Sequence, residues 1–122
     1  MCSSDLKQMI NYLKSNIAAA YQKDKNYQAL KMWAKDLPIA DKASLYNNSS
    51  WYMALAKENL PEAKLISYEA TTWAKNEITA PTEKKPDSYT KKEWSKQRKY
   101  TYGMYADTYA FILYNQIGRA HV

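Results

Sequence analysis

Apolar residues recur at three- and four-residue intervals along this chain, and nowhere do they alternate with polar ones. Alternation is the mark of a half-buried strand, whereas a period near 3.6 lays a single apolar stripe along a helix. The spacing predicts an all-α protein of about five helices. Twelve tyrosines would suit strands, but they follow the helical spacing too. Two glycines in 122 residues leave little chain that favours turns over helix.

The first helix is expected over residues 7–23, with Ile10, Leu13, Ile17, Ala20 and Tyr21 as its stripe, ending in the polar run KDKN. A shorter second helix covers 27–37, with Leu30, Trp33, Ala34 and Leu37 inward, and Pro38 stops it. Asp41 is placed as N-cap of a third helix over 42–58, although YNNSS is poor helix material in its middle. The fourth helix carries Pro61 in its first turn and Ala63, Ile66, Ala70, Trp73 and Ala74 behind it. Residues 77–89 hold two prolines and no stripe, so they read as a loop. Thr90 followed by Glu93 fits a capping box opening a long fifth helix to about residue 115, with Gly103 a weak point of ~1 kcal/mol.

The two ends stand apart from this pattern. Back-translated, IGRAHV gives ATC GGA AGA GCA CAC GTC, the sequence of a common short-read sequencing adapter. The reverse complement of the codons for Ile117 to His121 gives a GTG start followed by Cys2, Ser3, Ser4 and Asp5. Residues 1–6 and 116–122 are therefore expected to be adapter-derived, leaving 7–115 as the domain, a fragment of a longer protein.

Setting the ends aside removes the only cysteine, Cys2, and the only histidine, His121. Zinc sites of the Cys/His kind, disulfides, thiol nucleophiles and Ser-His-Asp triads go with them. No catalytic, cofactor-binding or metal-binding residue is expected, and the chain is expected not to be an enzyme. Glu58, Glu62 and Glu69 are the carboxylates to test, and they read as surface charge. Without Arg119 and Asp5 the 18 basic and 12 acidic residues become 17 and 11, and the net charge stays +6. No run approaches the ~18–20 apolar residues of a membrane span.

WAKD at Trp33–Asp36 and WAKN at Trp73–Asn76 lie 40 residues apart, and Tyr12 and Tyr52 keep the same offset. Such an echo, with two helices per unit, suggests an α-solenoid. The stretch ENLPEAKLISYEATTWAKN then resembles the turn and second helix of a tetratricopeptide repeat, on Asn59, Leu60, Glu62, Ala63 and Ala70. YADTYAFILYNQ resembles the first helix of a following repeat, with Ala110 at the close contact between helices. Trp51 stands where that pattern wants a small residue and Ser67 where an aromatic is usual. More narrowly, DTYAFILY is similar to a helix of tetratricopeptide-like regions attached to secreted bacterial thioredoxin-family proteins. That likeness implies a periplasmic or secreted location, with redox chemistry in a domain outside this chain.

The resemblance implies antiparallel helix pairs in an α-solenoid fragment, and a non-catalytic scaffold that contacts a protein, a peptide or a neighbouring domain of the parent chain. It places Asn48 and Tyr52 of the third helix, and Asp107, Phe111 and Tyr114 of the fifth, on the peptide-binding groove. Alternatively, Tyr52 and Phe111 belong to the core between repeats. The last helix, apolar on every side at YAFILY, is expected to leave Tyr109, Phe111, Ile112 and Tyr114 exposed and to self-associate. A second functional reading is a basic module binding nucleic acid through residues 84–100. There Lys84, Lys85, Lys91, Lys92, Lys96, Arg98 and Lys99 interleave with Tyr89, Trp94 and Tyr100. Against it, six lysines to one arginine give few bidentate contacts, and the segment also reads as a solvated helix start.

Overall fold

The computed structural model describes residues 3–120 and the side chains of residues 5–118. Five helices follow one another: α1 (Ser3–Lys23), α2 (Tyr27–Ala34), α3 (Ile39–Ala56), α4 (Leu60–Thr79) and α5 (Lys91–Ala120). No strand occurs among the described residues, and the protein is all-α. The chain forms two compact units that divide between Leu45 and Tyr46, with α3 continuous across the division. The helix boundaries do not respect the expected ends. Helix already covers residues 3–6, and α5 runs past Asn115 to Ala120. Cys2 and His121 lie outside the described residues.

In the first unit, α1 and α2 form a packed hairpin. Its turn is closed by backbone bonds from Asn26 N–H to the Tyr21 carbonyl at 2.9 Å and from Lys25 N–H to the Gln22 carbonyl at 3.1 Å, with Lys25 left-handed at φ 59°. That paired pattern satisfies the last carbonyls of a helix and usually takes glycine at the left-handed position. The Asn26 side chain then caps α2, accepting from Ala29 N–H at 3.2 Å. The second helix closes at Ala34, three residues short of expectation. Helical geometry is disfavoured for the residue before proline, so the helix does not continue to Leu37, and the end tightens through Leu37 N–H to the Ala34 carbonyl. Leu30, Ala34 and Leu37 are buried as expected, and Trp33 is half-buried.

The first helix corrects the sequence more sharply. Ile10, Leu13 and Ile17 are 42%, 52% and 38% exposed, Ala20 is exposed, and the buried residue is Ala18. Length explains this. The 21 residues of α1 extend about 31 Å and the 8 of α2 about 12 Å, so α2 reaches only the last turns of its partner.

The third helix begins at Ile39 rather than after Asp41. The Pro38 carbonyl takes the first helical bond, from Lys42 N–H at 3.0 Å, and Asp41 sits in the first turn, where its charge suits the helix dipole. YNNSS is helical throughout, with Ser49 and Ser50 buried. Ser50 turns its hydroxyl back to the Asn47 carbonyl at 3.0 Å, which keeps it from competing for the ladder.

The second unit holds the rest of α3 with α4 and α5. The end of α3 repeats the turn that ends α1: Glu58 N–H reaches the Met53 carbonyl, Lys57 N–H the Ala54 carbonyl, and Lys57 is left-handed at φ 57°. Glycine takes that conformation without a Cβ penalty. Lys57→Gly is therefore expected to raise stability by about 0.5–1 kcal/mol in urea unfolding; a loss would mean the lysine stem packs there.

Asn59 precedes α4 as Asn26 precedes α2, 33 residues earlier. The 40-residue echo does not coincide with this spacing. Trp33 is the seventh residue of α2 and Trp73 the fourteenth of α4, so the two tryptophans fall at different places in their helices.

Along α4 the buried stripe is Leu60, Ala63, Ile66, Ser67, Ala70, Ala74 and Glu77. The expected Trp73 is half-buried beside it. Small side chains at 63, 67, 70 and 74 let a neighbouring helix come close. The antiparallel α5 packs there, burying Tyr105, Thr108, Ile112 and Asn115. Thr71 stitches the pair: its hydroxyl lies 2.7 Å from the Ser67 carbonyl and 3.2 Å from the Tyr105 carbonyl of α5. Tyr68 and Tyr109 add a tilted ring contact at 5.8 Å.

Candidate interaction surface

Trp51 of α3 meets Phe111 of α5, with ring centroids 4.8 Å apart and planes inclined by 38°. Such pairs contribute ~0.5–1.5 kcal/mol beyond their buried area. The site residues proposed from the sequence lie on these same two helices. Asn48, Trp51, Tyr52 and Leu55 share one face of α3 by their spacing, and all four are exposed. On α5, Tyr100, Met104, Asp107, Phe111 and Tyr114 fall along one stripe, all exposed except the half-buried Phe111. Tyr52 is 54% and Tyr114 73% exposed, so Tyr52 is no core residue.

Sequence reasoning missed Trp51 as a member of this surface. Its signal was a large aromatic where a tetratricopeptide pattern has a small residue. The expected patch at the end of α5 needs correction as well. Ile112 is fully buried, Tyr109 is half-buried at Tyr68 and Phe111 half-buried at Trp51, leaving Tyr114 widely open. YAFILY is apolar all round because α4 packs along one side of it and aromatic rings flank that side.

The basic segment resolves into a braced loop and a helix start. The Thr90–Glu93 capping box forms as expected, with Thr90 N–H to Glu93 Oε1 at 2.9 Å and Glu93 N–H to Thr90 Oγ1 at 3.1 Å. The bond from Thr90 N–H, with the Thr90 hydroxyl beside the carboxylate and the charge of Lys85, holds the Glu93 carboxyl below its ordinary range. Lys85 points its Nζ back at the carbonyls of Tyr89 and Pro86. Arg98 lies over the Trp94 ring, 5.3 Å from its centroid, and Tyr89 meets Trp94 edge-on at 5.5 Å. Lys84, Lys91, Lys92, Lys96, Lys99 and Tyr100 are exposed. Of the three aromatics, only Tyr100 offers an open ring.

Glu77, expected in a loop, lies in the last turn of α4 as a buried residue and anchors the connection to α5. Its carboxylate accepts from Thr82 N–H (2.9 and 3.0 Å), from the Thr82 hydroxyl and from Glu83 N–H at 3.3 Å. Burial alone would raise its pKa. The bonds from Thr82 and Glu83, with the charge of Arg98, outweigh burial and hold the carboxyl below the usual range. Nothing in the local sequence announces this role, because a glutamate in the last turn of a helix normally faces water.

Glu58, Glu62 and Glu69 are each already engaged in an interaction, with Glu62 half-buried in the first turn of α4. Among the described residues no group of three or more His, Cys, Asp or Glu could hold a metal ion, and no helix is long and apolar enough to cross a membrane.

Compared with known protein families, curated proteins and solved structures, the chain matches none.

Proposed function

We propose that this chain is a non-catalytic helical scaffold that holds a segment of another protein, or of a neighbouring domain, against the aromatic face shared by α3 and α5. The Trp51–Phe111 contact carries this proposal: it brings α3 and α5 together at residues one turn or less from the exposed Asn48, Tyr52, Asp107 and Tyr114. Tyrosine and tryptophan offer large rigid contact area with a polar tip, and they dominate binding energy where they are presented together. A tetratricopeptide-like relationship is supported by the 33-residue spacing of the two asparagines that precede α2 and α4, near the ~34 of that repeat. The nucleic-acid alternative has weaker support, since Arg98 and Tyr89 already occupy Trp94.

The test is a peptide selected from a random display library and measured by calorimetry. Tyr52→Ala and Tyr114→Ala should each weaken binding about tenfold, roughly 1.4 kcal/mol, while Lys64→Ala on the exposed side of α4 should not. Selected peptides indifferent to both tyrosines would sink the proposal. Sedimentation at rising concentration reports whether a second copy competes for the same face. Binding to single-stranded nucleic acid that falls steeply with salt would favour the alternative.

A further inference from the structure

The 80–90 connection is longer than most helix–helix loops, yet both of its ends are pinned. Glu77 holds Thr82 and Glu83 at one end, and the capping box with the Lys85–Tyr89 bond holds the other. Between this braced loop and the start of α5 lies an open pocket of about 400 Å³, lined by Pro81, Glu83, Lys85, Lys91, Trp94 and Arg98. A smaller cavity of about 30 Å³ adjoins it, sharing Glu83, Trp94 and Arg98 and reaching Trp73.

Two buried donors line the smaller cavity without an acceptor: the indole Nε1–H of Trp73 and the guanidinium Nε–H of Arg98. Buried donors are rarely left unpaired, and two bordering one cavity single out a place for an oxygen atom. A cavity of that size has room for such an atom. Charge narrows the choice. Lys85, Lys91 and Arg98 face Glu77 and Glu83, a surplus of one positive charge across the two spaces. A monoanion balances that surplus and a phosphate dianion overshoots it. Arginine's planar donors also suit a carboxylate. Base stacking is disfavoured, because Trp94 is already in contact with both Arg98 and Tyr89.

We propose that this pocket binds a carboxylate carried by a peptide, one oxygen reaching the Trp73 and Arg98 donors and the other lying toward Lys91. The site is separate from the α3–α5 face, and the two are read on different tryptophans.

The test uses the full chain labelled with ¹⁵N, whose four tryptophans give four indole N–H signals. Acetyl-glutamate N-methylamide should shift the Trp73 indole signal saturably, with a Kd of about 1–10 mM, leaving Trp33 and Trp51 in place. Acetyl-glycyl-alanine, with a free C-terminal carboxylate, separates a terminal from a side-chain source; a Trp73 shift with either supports the site. Arg98→Lys keeps the charge but loses the Nε donor and should abolish saturation. Lys91→Gln alters an exposed residue that the fold does not need, and should weaken binding about threefold, so it stands even if Arg98→Lys unfolds. Equal shifts from the glutamine analogue, no saturable Trp73 shift with either carboxylate, or tighter binding of inorganic phosphate would each overturn the proposal.

Discussion

Replacing Ile112 with alanine should lower the unfolding free energy by about 2–5 kcal/mol, the range for removing a fully buried aliphatic side chain from a close-packed site. Ile112 is 0% exposed on the face of α5 that meets the small-residue stripe of α4. Closely approaching helices have little freedom to collapse into the cavity, which favours the upper half of the range. Tyr114→Ala, two residues on, should cost under about 0.5 kcal/mol, because its ring is largely in solvent. Urea unfolding of the two variants decides the matter. Equal losses would mean that α5 is rotated from the face described.

Glu77→Gln should cost about 1–3 kcal/mol at neutral pH, despite matching the side chain in shape. The amide keeps one carbonyl acceptor where the carboxylate had two, and turns its N–H₂ toward the donors of Thr82 and Glu83. The effect has a defined pH dependence. The folded-state pKa of Glu77 is depressed from 4.5, so the unfolded chain binds the proton more readily. Its contribution is therefore fully present above the ordinary carboxylate pKa and is lost as pH falls through the lowered folded value. The gap between wild type and Glu77→Gln should stay constant from neutral pH down to about pH 5 and narrow at lower pH. A gap that widens in acid would contradict this account of the carboxylate.

These two residues also mark how far the sequence could be read. Ile112 lay in a run apolar on every side, which gave the helix but no orientation; only the position of α4 shows which side is inside. Glu77 fell in a stretch that looked like plain loop, because its partners, Thr82 and Glu83, act largely through backbone N–H groups that any residue but proline has. Local chemistry was legible where side chains sit at a fixed spacing, as in the Thr90–Glu93 box, and where a stripe is backed by a neighbour at least as long, as on α4. The end of α1 at Lys23 was legible from the polar run KDKN, but the left-handed turns that close α1 and α3 were not. Lysines occupy left-handed positions that glycine would have advertised. The candidate surface was half legible: Asn48, Tyr52, Asp107 and Tyr114 came from a family pattern, while Trp51, which joins the halves, departs from it.

The mismatch between α1 and α2 has a thermodynamic consequence. Over its first turns α1 already leaves Leu6, Met9, Ile10 and Leu13 in water, so unwinding them releases little buried apolar surface. What opposes unwinding is helix propagation alone, worth little per residue in water. The start of α1 is thus nearly uncoupled from the cooperative unit that Leu30 and Ala34 anchor, and opens and closes on its own local equilibrium. Anything that covered its apolar stripe would draw those turns into the global transition, so that the start of α1 would register its own occupancy as a gain in order.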